Sequence, residues 1–83
     1  MKGIEYSSLN FSLIYKGNFS KGKWNGKGKE YDEDNNLIFD GEFLDGKRNG
    51  KGKEYYKEGK LKFEGKYLNG KRNGKGKEYY HNG

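Results

Sequence analysis

Phe39-Asp40-Gly41-Glu42-Phe43-Leu44-Asp45-Gly46-Lys47-Arg48-Asn49-Gly50-Lys51-Gly52 is the stretch that decides the fold. From Leu37 to Phe43, Leu, Phe, Gly and Phe share one parity and Ile, Asp and Glu the other, the period-two pattern of a half-buried strand. Asp45 to Gly50 is a polar, glycine-bounded connection, after which Lys51-Gly52-Lys53-Glu54-Tyr55 can return antiparallel. The unit is expected to be a β-hairpin, with Gly46 supplying positive φ in its turn.

Working outward, the unit recurs. Gly17, Gly41 and Gly65 lie 24 residues apart, as do Gly22, Gly46 and Gly70, Gly26, Gly50 and Gly74, and Gly28, Gly52 and Gly76. The aromatics keep the same register in Tyr15, Phe39 and Phe63, in Phe19, Phe43 and Tyr67, and in Tyr31, Tyr55 and Tyr79. Between residues 39–55 and 63–79, 13 of 17 positions are identical, which makes the chain a tandem array. The division expected is a degenerate N-terminal half-repeat over 1–12, then repeats at 13–36, 37–60 and 61–83, all in one domain. Lys2-Gly3-Ile4-Glu5-Tyr6 resembles the second half of a repeat and reads as a capping strand. At the other end, either the array continues or its final strand is an unpaired edge, which would favour self-association. Six strands of about five residues would give a twisted antiparallel meander ~17 Å tall and ~29 Å across.

The chain has 83 residues, 29% of them hydrophobic, and 14 of those apolar side chains are Tyr, Phe or Trp. A core must therefore be aromatic. Gly41, between Phe39 and Phe43, opens a slot over bare backbone for a ring from a neighbouring strand, and Gly50 and Gly52 open another opposite. Tyr15, Gly17, Phe19, Tyr31, Phe39, Gly41, Phe43, Tyr55, Phe63, Gly65, Tyr67 and Tyr79 form the expected core set. Strict alternation would turn Tyr55 outward, so a β-bulge near Lys53-Glu54 is expected to swing it in.

The pattern aromatic-x-Gly-x-aromatic, followed by Gly-Lys-x-x-Gly-x-Gly, resembles the MORN repeat, and the likeness covers residues 13–83. The period and Lys53 to Leu61 are also similar to a bacterial variant found in antitoxin-like proteins. The resemblance implies an all-β stack of hairpins that serves as a non-enzymatic scaffold or partner-binding segment, or as a membrane-associated appendage. Antitoxin activity rests on the resemblance alone.

No residue pattern points to catalysis. Gly22-Lys-Trp-Asn-Gly26-Lys27 departs from a phosphate loop by one residue of spacing and leads into a strand. Asp32-Glu33-Asp34 begins like a calcium loop, but Leu37 and Phe43 stand where Gly and a bidentate Glu are required. His81 is the only histidine and cysteine is absent, so metal sites and nucleophile relays lack partners. Ser7, Ser8, Ser12 and Ser20 have no base nearby, the sequons at Asn10 and Asn18 read as incidental, and no cofactor is expected. Glu30, Glu54 and Glu78 read as cross-strand ion-pair partners of the lysines alongside them. With no apolar leader near Met1 and no span of ~18 apolar residues, a cytoplasmic protein is expected, with a peripheral position at a membrane surface as the alternative.

The functional promise lies in basic residues. The net charge is +6. Lys23, Lys27 and Lys29 recur as Lys47, Lys51 and Lys53 and as Lys71, Lys75 and Lys77, with Arg48 and Arg72 added in the turns. Stacked repeats would set them in rows facing acidic proteins or anionic lipid. The favoured expectation is a module binding a partner peptide or domain through an aromatic-lined face, with phospholipid association through the Lys/Arg rows as the alternative. Specific nucleic-acid binding is not expected, because rings packed over glycine cannot stack bases.

Overall fold

A computed structural model describes residues 1–10 and 12–80. It consists of seven strands in one open antiparallel sheet in sequence order: β1 (Lys2–Tyr6), β2 (Leu13–Ser20), β3 (Lys23–Tyr31), β4 (Leu37–Leu44), β5 (Lys47–Tyr55), β6 (Leu61–Leu68) and β7 (Lys71–Glu78). The sheet measures 36 × 27 × 17 Å. β1 pairs with β2, Gly3 opposite Gly17.

Strands β2 to β7 run to eight or nine residues because the hairpin connection is shorter than the polar stretch suggests. Only two residues turn: Lys21-Gly22, Asp45-Gly46 and Asn69-Gly70 have φ of 53° and 77°, 51° and 83°, and 52° and 86°. Two successive positive φ values define the tight hairpin turn whose twist matches that of the flanking strands. Lys47 to Gly50 therefore already belong to β5, and Arg48 is a strand residue instead of a turn residue. The polarity there reflects a bulge: Gly41 faces Gly52 and Phe43 faces Arg48, so two steps of β4 span four of β5. Gly50 takes φ of 102° inside that bulge. The Glu42 carboxylate folds over Gly50 and accepts the Lys51 N–H at 2.8 Å. Gly50 thus holds a bulge and does not form a ring slot.

The repeats are locked to one another at their turns. Gly46 N donates to Trp24 O at 2.9 Å and Gly70 N to Arg48 O at 2.8 Å. Asn25 and Asn49, in the bulges, accept the N–H groups of Asp45 and Asn69 through their Oδ1 atoms at 3.4 and 3.3 Å. Each hairpin thus caps the turn of the next.

Directly opposed glycines run across the whole sheet: Gly3, Gly17, Gly28, Gly41, Gly52, Gly65 and Gly76, one per strand. A Cβ on Gly52 would overlap the Phe39 ring, one on Gly28 the Tyr15 ring, and one on Gly76 the Phe63 ring. The ring over each glycine pair comes from the same hairpin, two residues before its first glycine, so it covers the glycine of its own strand and, from the neighbouring strand, the glycine opposite. Tyr15 and Phe39 are wholly buried, and Phe43, Phe63 and Tyr67 nearly so. Together with half-buried Phe19 they form an edge-to-face series, Phe19–Tyr15–Phe43–Phe39–Tyr67–Phe63, with centroids 5.0–5.8 Å apart and interplanar angles of 78–90°. Such pairs contribute about 0.5–1.5 kcal/mol each beyond the area they bury.

Tyr31, Tyr55 and Tyr79 are outside this core. The bulge lies one residue later and on the partner strand: Glu54 faces Phe63 while Tyr55 faces Leu61, leaving Lys62 unmatched. Alternation along β5 is unbroken there, so Glu54 points to the rings and Tyr55 stays on the lysine side, half-buried. Tyr79 is 37% exposed and donates to Glu64 Oε1 at 3.4 Å.

Candidate functional site

The two faces of the sheet do different work. On the aromatic face, Arg48 and Arg72 lie flat over rings, with Cζ 4.3 Å from the Phe39 centroid and 4.0 Å from that of Phe63. Trp24, one period earlier, stacks on Tyr15 at 4.5 Å with 7° between the planes. These planar groups are tied to carboxylates in a ladder. Trp24 Nε1 donates to Glu5 Oε1 at 2.8 Å, and Arg48 Nε to Glu30 Oε1 at 3.1 Å. Arg72 Nε donates to Glu54 Oε1 at 2.9 Å, and Arg72 Nη1 lies 3.4 Å from Glu78. Tyr67 donates its hydroxyl to the same Glu54 carboxylate.

Glu54 is the most constrained of these acids. Burial alone would raise its pKa, but hydrogen bonds from Arg72 and Tyr67 and the charges of Arg72 and Arg48 outweigh it and hold the carboxyl below its ordinary value. The Tyr67 hydroxyl is pushed up, first by burial and then by the Glu54 carboxylate it bonds.

Two expectations change here. The partners of Glu30, Glu54 and Glu78 on this face are arginines, and Arg48 and Arg72 are engaged with rings and carboxylates, so they leave the set of anion-binding candidates. Among the described residues the core rings of the aromatic face are also buried, with Trp24, Arg48 and Arg72 lying over Tyr15, Phe39 and Phe63, and they line no open groove.

The opposite face is open. Its floor is the other side of the glycine row, bare backbone flanked by two rows of side chains. The first row contains Lys2, Asn18, Lys27, Glu42, Lys51, Lys66 and Lys75. The second contains Ile4, Lys16, Lys29, Asp40, Lys53, Glu64 and Lys77. The larger section, from Lys27 to Lys77, encloses about 1040 Å³, and a second of about 590 Å³ continues it to Lys2 and Ile4, with Tyr31 at its side. Seven strands at ~4.8 Å make the trough ~29 Å long. All nine of its lysines are exposed. Only Lys53 among them forms an ion pair among the described residues, with Glu64 at 4.0 Å. Nine lysines against Glu42, Asp40 and Glu64 leave the walls at +6.

Of the sequence-derived candidates, Lys27, Lys29, Lys51, Lys53, Lys75 and Lys77 come together in the trough. Lys23, Lys47 and Lys71 start their strands beside the turns, outside its lining. Lys2, Lys16 and Lys66 were missed because they break the 24-residue lysine pattern, although their position next to Gly3, Gly17 and Gly65 marks them. The acidic loop that begins like a calcium site is a turn: the Asp32 carboxylate accepts the N–H groups of Asp34 and Asn36 at 2.9 Å each. Among the described residues no group of acidic or histidine side chains is placed to hold a metal, and His81 lies outside those residues. No helix of the described structure is long and apolar enough to cross a membrane.

An open sheet of closely similar hairpins, with ring-over-glycine packing on one side and a lysine-walled backbone floor on the other, defines a repeat-array protein. The MORN repeat matches residues 15–37, 39–60 and 63–83, and the chain belongs to the MORN repeat family. That family is one of generally non-enzymatic modules for protein interaction and membrane association. Neither characterised proteins nor solved structures give a further match.

Proposed function

We propose that this chain is an interaction module that takes an acidic, extended protein segment in the glycine-floored trough. The observation that carries the reading is the concentration of nine exposed lysines on the one face left open, around a floor with no side chains to exclude a second backbone. The aromatic face cannot serve, since docking there would first require displacing Arg48, Arg72 and Trp24 from their rings.

The test uses a fluorescent ten-residue glutamate peptide as probe. Binding should weaken steeply from 50 to 300 mM salt, as expected for exposed charges. It should be lost in the triple variant Lys27→Glu, Lys51→Glu, Lys75→Glu. The triple variant Lys21→Glu, Lys57→Glu, Lys60→Glu has the same net charge but leaves the trough intact, and it should retain most of the affinity. Equal loss in both variants would show attraction to net charge only and refute the trough.

A second reading draws on one observation. Leu44 and Leu68 are about half exposed and pair with Lys47 and Lys71 at the turn end. Apolar tips beside cations suit an anionic bilayer surface. Co-sedimentation with phosphatidylserine vesicles that is lost in the double variant Leu44→Ser, Leu68→Ser and retained in the trough triple would favour it.

A further inference from the structure

Three tyrosines have no place in the ring core, yet they recur once per hairpin. Tyr31, Tyr55 and Tyr79 each stand two residues after a trough lysine, in Lys29-Glu30-Tyr31, Lys53-Glu54-Tyr55 and Lys77-Glu78-Tyr79. Alternation along β3 and β5 turns lysine and tyrosine to one face, so phenol rings stand beside the lysine wall. Tyr31 borders the trough, Tyr31 and Tyr55 are half-buried, and the Tyr79 hydroxyl reaches the same wall at Glu64 Oε1.

The walls carry the same period. Lysine stands on every second strand, β3, β5 and β7, at Lys27, Lys51 and Lys75 in one wall and at Lys29, Lys53 and Lys77 in the other. In the second wall Lys29, Asp40, Lys53, Glu64 and Lys77 lie opposite one another in turn, so charge alternates strand by strand. Two strands at ~4.8 Å set like charges about 9.6 Å apart. An acidic occupant is attracted at that interval and repelled halfway.

The interval selects a backbone. A polyproline-II helix has three residues per turn and rises ~3.1 Å per residue, so every third side chain lines up at ~9.3 Å. A β-strand repeats each side at ~6.7 Å, out of step with the lysines. An α-helix, ~10–12 Å across, is too broad to reach a floor whose walls stand two residues, ~6.7 Å, apart. The floor also offers a strand nothing to pair with, because the N–H and C=O groups of its glycines point within the sheet toward neighbouring strands. Polyproline II needs no such partner, and proline brings no N–H to leave unpaired.

Taking the trough as the binding face, we propose that its occupant is a proline-rich polyproline-II segment with Asp or Glu at every third residue, one turn per hairpin. Each acid meets the lysines of β3, β5 or β7, and a proline of each triplet packs on the tyrosine beside them, as proline-rich ligands do in aromatic-lined grooves.

The probe is a labelled twelve-residue peptide of four Glu-Pro-Pro triplets, added to the intact protein. Its isomer, four Glu-Pro pairs followed by four prolines, has the same composition and charge but spaces its acids at ~6.2 Å. The triplet peptide should bind about tenfold or more tightly than the isomer. In the double variant Tyr31→Leu, Tyr55→Leu it should lose about fivefold or more in affinity, whereas the ten-residue glutamate peptide should bind as before and so report an intact sheet. Should that variant unfold, the comparison of isomers on the parent protein is decisive alone. Equal affinity of the two isomers, or a triplet peptide indifferent to the tyrosine substitutions in a folded variant, would overturn the proposal. Either result leaves the trough as the binding face so long as the glutamate peptide still separates the two lysine variants; if it does not, both readings fall.

Discussion

Gly52→Val probes the ring-over-glycine packing at its centre. A Cβ at residue 52 would overlap Phe39 ring atoms and press on Tyr67 Cε1 at 3.2 Å. Backbone cannot yield, since Gly52 is hydrogen-bonded into the sheet between Gly41 and Gly65. Phe39 must therefore leave a site in which it is fully buried, giving up its edge contacts with Phe43 and Tyr67 and its stacking under Arg48. The loss resembles deletion of a buried ring, about 3–5 kcal/mol. A domain of this size has a total stability of about 4–12 kcal/mol. The assay is a urea titration followed by far-UV circular dichroism, in which the Gly52→Val midpoint should fall by about a quarter or more. Asp45→Asn is the control, because Asn69 already holds the equivalent φ of 52° in the third hairpin; it should stay within about 0.5 kcal/mol of the parent. Asp45→Ala would serve less well, since φ of 51° makes alanine strained there. A Gly52→Val protein within 1 kcal/mol of the parent, on the order of the scatter among surface substitutions, would refute the packing account.

Four further outcomes follow from the ladder. Arg48→Ala should cost about 1–3 kcal/mol in the same titration, and Arg48→Lys should recover less than half of it, because an ammonium cannot lie flat on Phe39 while reaching Glu30. Trp24→Arg should be tolerated within about 1 kcal/mol, since Arg48 and Arg72 fill that place in the other hairpins, whereas Trp24→Ala should lose about 2 kcal/mol, from buried area together with the stacking on Tyr15. The Glu54 pKa is depressed in the folded state, so its contribution is fully present above the unfolded value near 4.5 and is lost as pH falls below it. The urea midpoint should drop on acidification through that range, and less so in Glu54→Gln. Tyr67 has the opposite sign: its raised pKa gives stability that is present below pH 10 and lost above it, and Tyr67→Phe should flatten the alkaline limb.

The hairpin repeat was legible because a 24-residue period in glycine and aromatic positions survives any uncertainty about local pairing. Tyr15, Phe39, Phe43, Phe63 and Tyr67 fell on the buried face for that reason. What composition could not show was where the turn ended. A run of Lys-Arg-Asn-Gly reads as loop by polarity, yet a two-residue turn returns the chain to the sheet at Lys47 and sends Arg48 onto Phe39. Tyr55 illustrates the converse: its recurrence suggested burial, but alternation along β5 holds and the bulge is taken up by Lys62 on the adjacent strand. The trough was half legible. Its lysines stood out, but only the strand register shows that every glycine between them lies in one row and that Glu42, Asp40 and Glu64 share the walls.

The most direct test of the account is a titration of the isotope-labelled protein with the ten-residue glutamate peptide, followed by amide chemical shifts. The account predicts that the perturbed amides cluster along Gly3, Gly17, Gly28, Gly41, Gly52, Gly65 and Gly76 and their flanking lysines, while the Trp24 indole and the Arg48 side chain stay unmoved. Shifts centred on Trp24 and Arg48, or spread evenly over all lysines including Lys21, Lys57 and Lys60, would contradict it.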